Sequence, residues 1–457
     1  MFKTRKEYID LIKKLQDESF PKLKKCWGHN VWFIIQIQIG FYFHFVFNKK
    51  INLNDKQHCN KSIFEGRLTF SDFRRFLKSI YYLLCNYKKW QKKWNNTTML
   101  FGYKSHNIEK DGHSYNIYLE PYQAVLKEQG IKSEILYVDD LGKVYELYIR
   151  LYYIQFFFHK LKSKFLVKQF NNIKYNSDLV GEFFKNMNLD SEYITSNIAN
   201  AIILNELYYK IYRCMLKLLS PQKIWTYCYY TRMGGNSFIR AANSLNIESA
   251  EYQHSAISDG HFAYSKWNFI DAYLEFFPKS FFVWNEYDKE LIYRNFSGKF
   301  YVPKVIVSGN FYAEQELQQN TNRLEINQNK DILICLQGLW LPKFVEEAII
   351  KSSHVKWYFR LHPRYPEDKE KLISFASSYP DRVEIEKANN LTLYELFENV
   401  GIVLTMFSGT AREAKEFGLR VIIVGREGYN SYKNYIDDGV FDYAENEDRL
   451  LNLIQSK

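Results

Sequence analysis

The chain has 457 residues, 46% of them hydrophobic and 25% charged, with a formal net charge of +11; that is enough for two or three domains, each with its own core. The charge is local. Residues 1–97 hold 20 Lys/Arg against 7 Asp/Glu, a balance of +13, so the remaining 360 sum to −2, which speaks against a uniformly basic nucleic-acid binder. Six cysteines with no CxxC spacing (Cys26, Cys59, Cys85, Cys214, Cys228 and Cys335) speak against a zinc site or a disulfide scaffold, and they fit a reducing, cytoplasmic compartment.

In chain order, MFKTRKEYIDLIKKL reads as a basic amphipathic helix without the apolar core of a secretory signal. The most apolar run follows, VWFIIQIQIGFYFHFVF at residues 31–47. Ile35, Ile37, Ile39, Phe41, Phe43 and Phe45 alternate at period two, which predicts a half-buried strand; a buried or membrane-grazing helix fits the same letters. The run is short for a spanning helix and contains Gln36, Gln38 and His44, so it is not read as one. Residues 63–95 predict a helix with clustered Arg and Lys and interleaved aromatics. Residues 1–97 therefore form a mostly helical extension, expected to rest peripherally on the anionic inner face of the plasma membrane; ordinary solvated helices account for the charge equally well.

From Thr98 the rhythm changes. TMLFGY predicts a strand, YLEPYQAVLKEQG a helix and SEILYVDD a strand. One helix is expected from Val144 to Phe170, and more helix to Leu219. The strand KIWTYCYY, the helix SFIRAANSLNI and the strand IESAEYQHS follow. Glu314 to Asn329, rich in Gln and Asn, reads as a linker. Beyond it come strand DILICLQG, helix LPKFVEEAIIKS, strand VKWYFRLHPR, helix YPEDKEKLISFASSYP, strand VEIEK, helix LTLYELFENV, strand GIVLTM, helix SGTAREAKEFG and a final strand RVIIVG. Such alternation predicts parallel α/β layers. The expected units are 1–97, 98–320 and 321–457.

Ligands of open parallel sheets bind beyond the carboxyl ends of the strands. Arg360, His362 and Arg364 fall on one side of an extended strand end and suit a phosphate. Ser408, Gly409 and Thr410 open a helix after a strand, which offers free amides and two hydroxyls to an anion, or simply an N-cap. There is no GxxxxGK[ST] loop, no GxGxxG after a strand and no DxD; Glu384-x-Glu386, placed in a strand, is a poor substitute. Gln253, His254 and Ser255 end another strand, where His254 can deprotonate or hydrogen-bond a sugar hydroxyl, with Asp259 as the alternative base.

As an ordered set, EYQHSAISDGHFAY, VSGNFY, RLHPRY and FSGTAREAKEFGLRVIIVG resemble the motifs of GT-B glycosyltransferases of bacterial capsule and lipopolysaccharide assembly, over residues 98–457. Ser255 stands where that family usually has glycine, and Gly409 separates Ser408 from Thr410. The resemblance implies an α/β chain of two Rossmann-like domains facing a cleft. A nucleotide-sugar donor would sit on the second domain and a glycan or lipid-linked acceptor on the first, with no bound metal or other cofactor. It implies that Ser408, Thr410 and nearby amides hold the donor phosphate with help from His362 and Arg364. Glu413 either contacts the donor ribose or sugar or lies at the surface, and Gln253, Ser255 and Asn310 line the acceptor side. A sialyl-, Kdo- or polyol-phosphate transferase using CMP- or CDP-activated donors is the alternative chemistry. A basic nucleic-acid-binding protein or an inactive scaffold is the alternative outside catalysis, although nucleic acid is not an expected partner.

Overall fold

The computed structural model describes residues 5–19, 31–47, 68–110, 112–137, 143–176, 178–186, 191–231, 235–255, 257–268, 274–298, 301–319, 331–362 and 368–456. Two six-stranded sheets, every pair parallel, carry the chain. The first is built from β1 (Thr98–Gly102), β4 (Ser133–Tyr137), β5 (Lys223–Thr226), β6 (Glu248–Tyr252), β7 (Ser280–Val283) and β8 (Lys304–Val307), in the order β4-β1-β5-β6-β7-β8. A small antiparallel hairpin, β2 (Asn107–Lys110) and β3 (His113–Asn116), follows β1. The second sheet holds β9 (Ile332–Cys335), β10 (Trp357–Arg360), β11 (Val383–Glu384), β12 (Ile402–Thr405), β13 (Arg420–Val424) and β14 (Asp442–Ala444), ordered β11-β10-β9-β12-β13-β14. These are the two Rossmann-like domains that the alternating pattern predicts. Residues of β1, β9 and β12 are buried on both faces, so their apolar letters run on without alternation, as in strands covered by helices on two sides. Strand order reverses between β1 and β5 in the first sheet and between β9 and β12 in the second, which creates a crevice at each carboxyl edge.

The apolar run near the N-terminus is a helix, Trp32–Phe47, and not a strand. Ile34, Ile35, Ile37 and Ile39 are all buried, so the helix is enclosed on every side. An enclosed helix needs apolar residues all round and has no distinguished face, which makes the period-two alternation coincidental. Phe33 packs against Phe276 at 5.3 Å and Phe43 against Phe184 at 5.5 Å, placing this helix in the core of the first domain. The helix Arg5–Ser19 joins the same core through Tyr8, Ile12 and Leu15. Among the described residues no helix is long and apolar enough to cross a membrane.

Other differences are local. The helix expected over 144–170 is broken into Lys143–Leu161 and Ser163–Asn176. The expected linker begins inside the helix Phe311–Gln319, and residues 320–330 lie outside the described set. Glu384 ends β11 while Glu386 opens a short helix, so the two do not share a strand face. RVIIVG is not the last strand, since β14 pairs beside it. The strand KIWTYCYY leaves the sheet after Thr226, and Cys228 takes a left-handed φ of 59°.

Candidate functional site

On the second domain, β12 runs into Met406, Phe407, Ser408 and Gly409 before the helix Thr410–Glu416 begins. Thr405 Oγ1 donates to the carbonyl of Cys335 at 3.1 Å, which ties the two strand ends that flank the reversal of strand order. Ser408 and Thr410 are both buried, and their hydroxyls hydrogen-bond to each other. The Thr410 N–H also points to Ser408 Oγ at 3.3 Å. Gly409 has an ordinary right-handed φ of −54°, so its contribution is its missing side chain and not backbone freedom. The Ser408 carbonyl accepts from the Tyr432 hydroxyl, which pins the turn from behind.

Glu413, one turn into the helix, is not a surface residue. Tyr394 donates to its carboxylate at 3.2 Å, and burial pushes its pKa up to about 7 against the opposing pull of Tyr394 and Arg360. Arg360 faces this group but directs Nη1 to the carbonyls of Ala388 and Leu391 at 3.0 and 2.7 Å, which braces the loop beyond β11. His362 is partly buried two residues past the end of β10, and Arg364 lies outside the described residues. The structure thus brings Arg360, Ser408, Thr410 and Glu413 to neighbouring strand ends, but Arg360 is committed within its own domain.

On the first domain, His254 stands two residues past β6 in an aromatic box of Tyr118, Tyr227 and Tyr230, with ring centroids 5.9–6.2 Å away. Its Nε2 lies 3.0 Å from Cys228 Sγ and 3.5 Å from the Tyr230 hydroxyl. His261, which the sequence reading did not place in the site, approaches the same hydroxyl at 3.4 Å. Beneath them, Glu251 in β6 is fully buried and accepts from the Tyr264 hydroxyl at 2.8 Å. Burial pushes its pKa up to about 8, and the backbone N–H groups of Cys228 and Tyr229 oppose that rise.

The remaining expected residues have other partners. Gln253 is buried: its Oε1 accepts from the Trp284 N–H at 2.8 Å, and its Nε2 donates to Asp288 at 2.7 Å and to the Ser255 carbonyl at 3.1 Å. Asp259 is exposed and bound by Arg294 at 2.6 Å and Asn295 at 2.7 Å. Asn310 caps the helix Phe311–Gln319, accepting from the Ala313 N–H at 3.2 Å.

The two halves meet through a residue that sequence reasoning passed over. Arg412, inside the helix that Thr410 opens, is buried and pairs with Asp288 at 2.8 Å. The same guanidinium donates to the Ile257 carbonyl at 2.8 Å and to the Tyr435 hydroxyl at 3.1 Å. A second surprise is Arg5, whose guanidinium sits 4.2 Å over the Phe407 ring and whose backbone N–H donates to Glu427 at 2.9 Å. Among the described residues no group of three or more His, Cys, Asp or Glu side chains is placed to hold a metal ion.

No protein-family model matches the chain, and no curated protein matches it in sequence. Among solved structures, the UDP-GlcNAc 2-epimerase of Methanocaldococcus jannaschii in complex with UDP-GlcNAc and UDP is 15% identical, with 79% of this chain and 93% of that one covered at a TM-score of 0.45. The Neisseria meningitidis UDP-GlcNAc 2-epimerase bound to UDP-GlcNAc is 13% identical (78% and 90% covered, TM-score 0.45). MurG of Acinetobacter baumannii is 12% identical (78% and 89% covered, TM-score 0.41). Similarity this low says nothing of what this chain does.

Proposed function

We propose that the chain is a glycosyltransferase that moves a sugar from a nucleotide-sugar donor to a glycan or lipid-linked acceptor in bacterial surface-polysaccharide assembly. One observation carries the reading. The Ser408–Thr410 turn lies where the second sheet reverses its order, and Arg412 in the following helix bonds the Ile257 carbonyl, three residues past His254. A hydroxyl-lined turn suited to an anion therefore sits across from an imidazole suited to a proton.

In the proposed reaction His254 accepts the proton of the acceptor hydroxyl. The oxygen attacks the anomeric carbon, and the bond from that carbon to the donor phosphate breaks, releasing the nucleotide. The Ser408 and Thr410 hydroxyls, with His362 and Arg364, would meet the charge that develops on the leaving phosphate. Glu413 would contact the donor's ribose or sugar, and Tyr394 orients it.

The test is a panel of UDP-, GDP-, CMP- and CDP-activated donors, with nucleotide release and product formation read in the same reaction. Acceptor-dependent release is expected, and His254→Ala should lower kcat by about 10²–10⁴-fold with donor affinity unchanged. Response to CMP- or CDP-activated donors alone would point to the sialyl, Kdo or polyol-phosphate chemistry. No release with any donor, or a sugar altered while still attached to its nucleotide, overturns the proposal.

A further inference from the structure

Nine of the fourteen exposed large hydrophobic side chains among the described residues gather on one face. Phe70, Phe73, Leu77, Tyr81, Leu84 and Tyr87 recur at spacings of three and four along the helix Phe70–Trp94 and form a single stripe. Phe70, Tyr81 and Leu84 are 83%, 72% and 69% exposed, so the stripe is open and not merely grazed by solvent. Phe158, Leu161 and Phe165 extend it from the neighbouring helices, joined to it by ring contacts of Phe73 with Phe157 at 6.0 Å and of Phe76 with Phe158 at 5.6 Å. Single exposed apolar residues are ordinary on a protein surface, whereas a contiguous patch of this kind marks an interaction site.

Charge says what covers it. The helix Phe70–Trp94 has seven Lys/Arg and one acid, Asp72, which is buried and paired with Lys160 at 3.0 Å. The neighbouring helices, residues 143–176, add seven Lys/Arg and one acid, Glu146. Arg74, Lys78 and Lys88 are exposed and each follows a stripe residue by one position, so they flank the apolar row. A cavity of about 350 Å³ lies at the same face, with Phe158 and Phe165 in its walls beside Lys162 and the Lys210–Glu206 pair.

We propose that this face rests on an anionic lipid bilayer, with the stripe at the boundary between headgroups and acyl chains and the flanking Lys and Arg on the headgroups. A second copy docked on it symmetrically would set basic flank against basic flank. Double-stranded nucleic acid would satisfy the charge but offer the apolar row nothing to bury against. A bilayer supplies both. The docking surface is then the helix Phe70–Trp94, while the apolar helix Trp32–Phe47 stays in the core. The inference is independent of the reaction proposed above.

The test uses the full chain with vesicles of phosphatidylcholine, alone or mixed with phosphatidylglycerol, and reads co-sedimentation. Binding is expected with phosphatidylglycerol only, and salt should weaken it. Phe70→Ser/Leu77→Ser/Leu84→Ser should reduce binding about tenfold or more with Tm unchanged, because these side chains are exposed. Arg74→Glu/Lys78→Glu/Lys88→Glu should abolish the preference for phosphatidylglycerol. Wild-type binding by the serine variant overturns the proposal. So does a wild type that ignores anionic vesicles at low salt; if it also runs as a dimer that the serine variant splits, the stripe is a contact between copies.

Discussion

Glu416 is the residue at which the chemistry of the cleft is easiest to read. Burial, then the neighbouring carboxyls of Glu413, Glu314 and Asp288, push its pKa up to about 8, while Arg412 opposes them. A carboxyl whose pKa is raised on folding keeps its proton in the folded state over a range where the unfolded chain has lost it. Its contribution to stability is therefore full below about 4.5 and is lost as pH rises through about 8. Glu416→Gln cannot ionise, so its Tm should rise relative to wild type between about pH 5 and about pH 9, and match it at the acid end. Parallel curves across that range would show that the carboxyl ionises freely in the folded protein. None of this is visible in the letters EAKE, since a glutamate at that spacing looks like any solvated helix residue. The sequence pointed to Ser408, Thr410 and His254 because they stand next to strand ends, and to Glu413 only through the family resemblance. It assigned Gln253 and Asp259 to the cleft for the same reason, yet Trp284 and Asp288 hold the first, and Arg294 and Asn295 hold the second. Those partners lie 31 or more residues away in the chain, beyond the reach of local pattern.

At the scale of an element, the helix Trp32–Phe47 connects the N-terminal extension to the candidate site. A Cβ on Gly40 would lie 2.6 Å from Phe262 Cγ and 2.8 Å from its Cβ, so the glycine lets this helix lie directly on the loop that carries His261 and follows His254. The clash falls at the base of the phenylalanine, where rotation about the side chain gives little relief. Gly40→Ala should therefore cost about 1–3 kcal/mol, the usual range for overpacking a core. It should also move the resonances or reactivity of His254 and His261 more than those of His354 on the far domain. A neutral Gly40→Ala variant with unperturbed histidines would mean that the helix does not press on the loop. The strands of the second sheet were legible although β9, β12 and β13 are buried on both faces, because each is a short apolar run set between helical segments and polar turns. This helix was not, because burial on all sides erases the periodic signal. The strands β7, β8 and β14, of three or four residues each, also escaped.

For the whole molecule, the decisive contact is the Arg412–Asp288 pair, whose side chains are 2% and 1% exposed. It joins the helix after the Ser408–Thr410 turn to the first domain, and Gln253 continues the chain of bonds to the end of β6. An ion pair this deep loses much of its Coulomb gain to desolvation, so its worth lies in what happens when one partner is left alone. Arg412→Met strands the Asp288 carboxylate and should cost about 3–5 kcal/mol, measured by the shift of the urea midpoint. Adding Asp288→Asn removes the stranded charge and leaves an amide that Gln253 can still bond, so the double variant should recover about 1–3 kcal/mol relative to the sum of the singles. The pair also acts on shape. With it broken, the carboxyl ends of β12 and β6 lose the guanidinium that spans them, and small-angle scattering should report a larger radius of gyration for Arg412→Met than for wild type. Additive costs together with an unchanged radius would mean that the pair fills a packed interface without holding the two sheets together. The cleft would then have to be set by other contacts, of which the Arg5 reach onto Phe407 and Glu427 is the next to test.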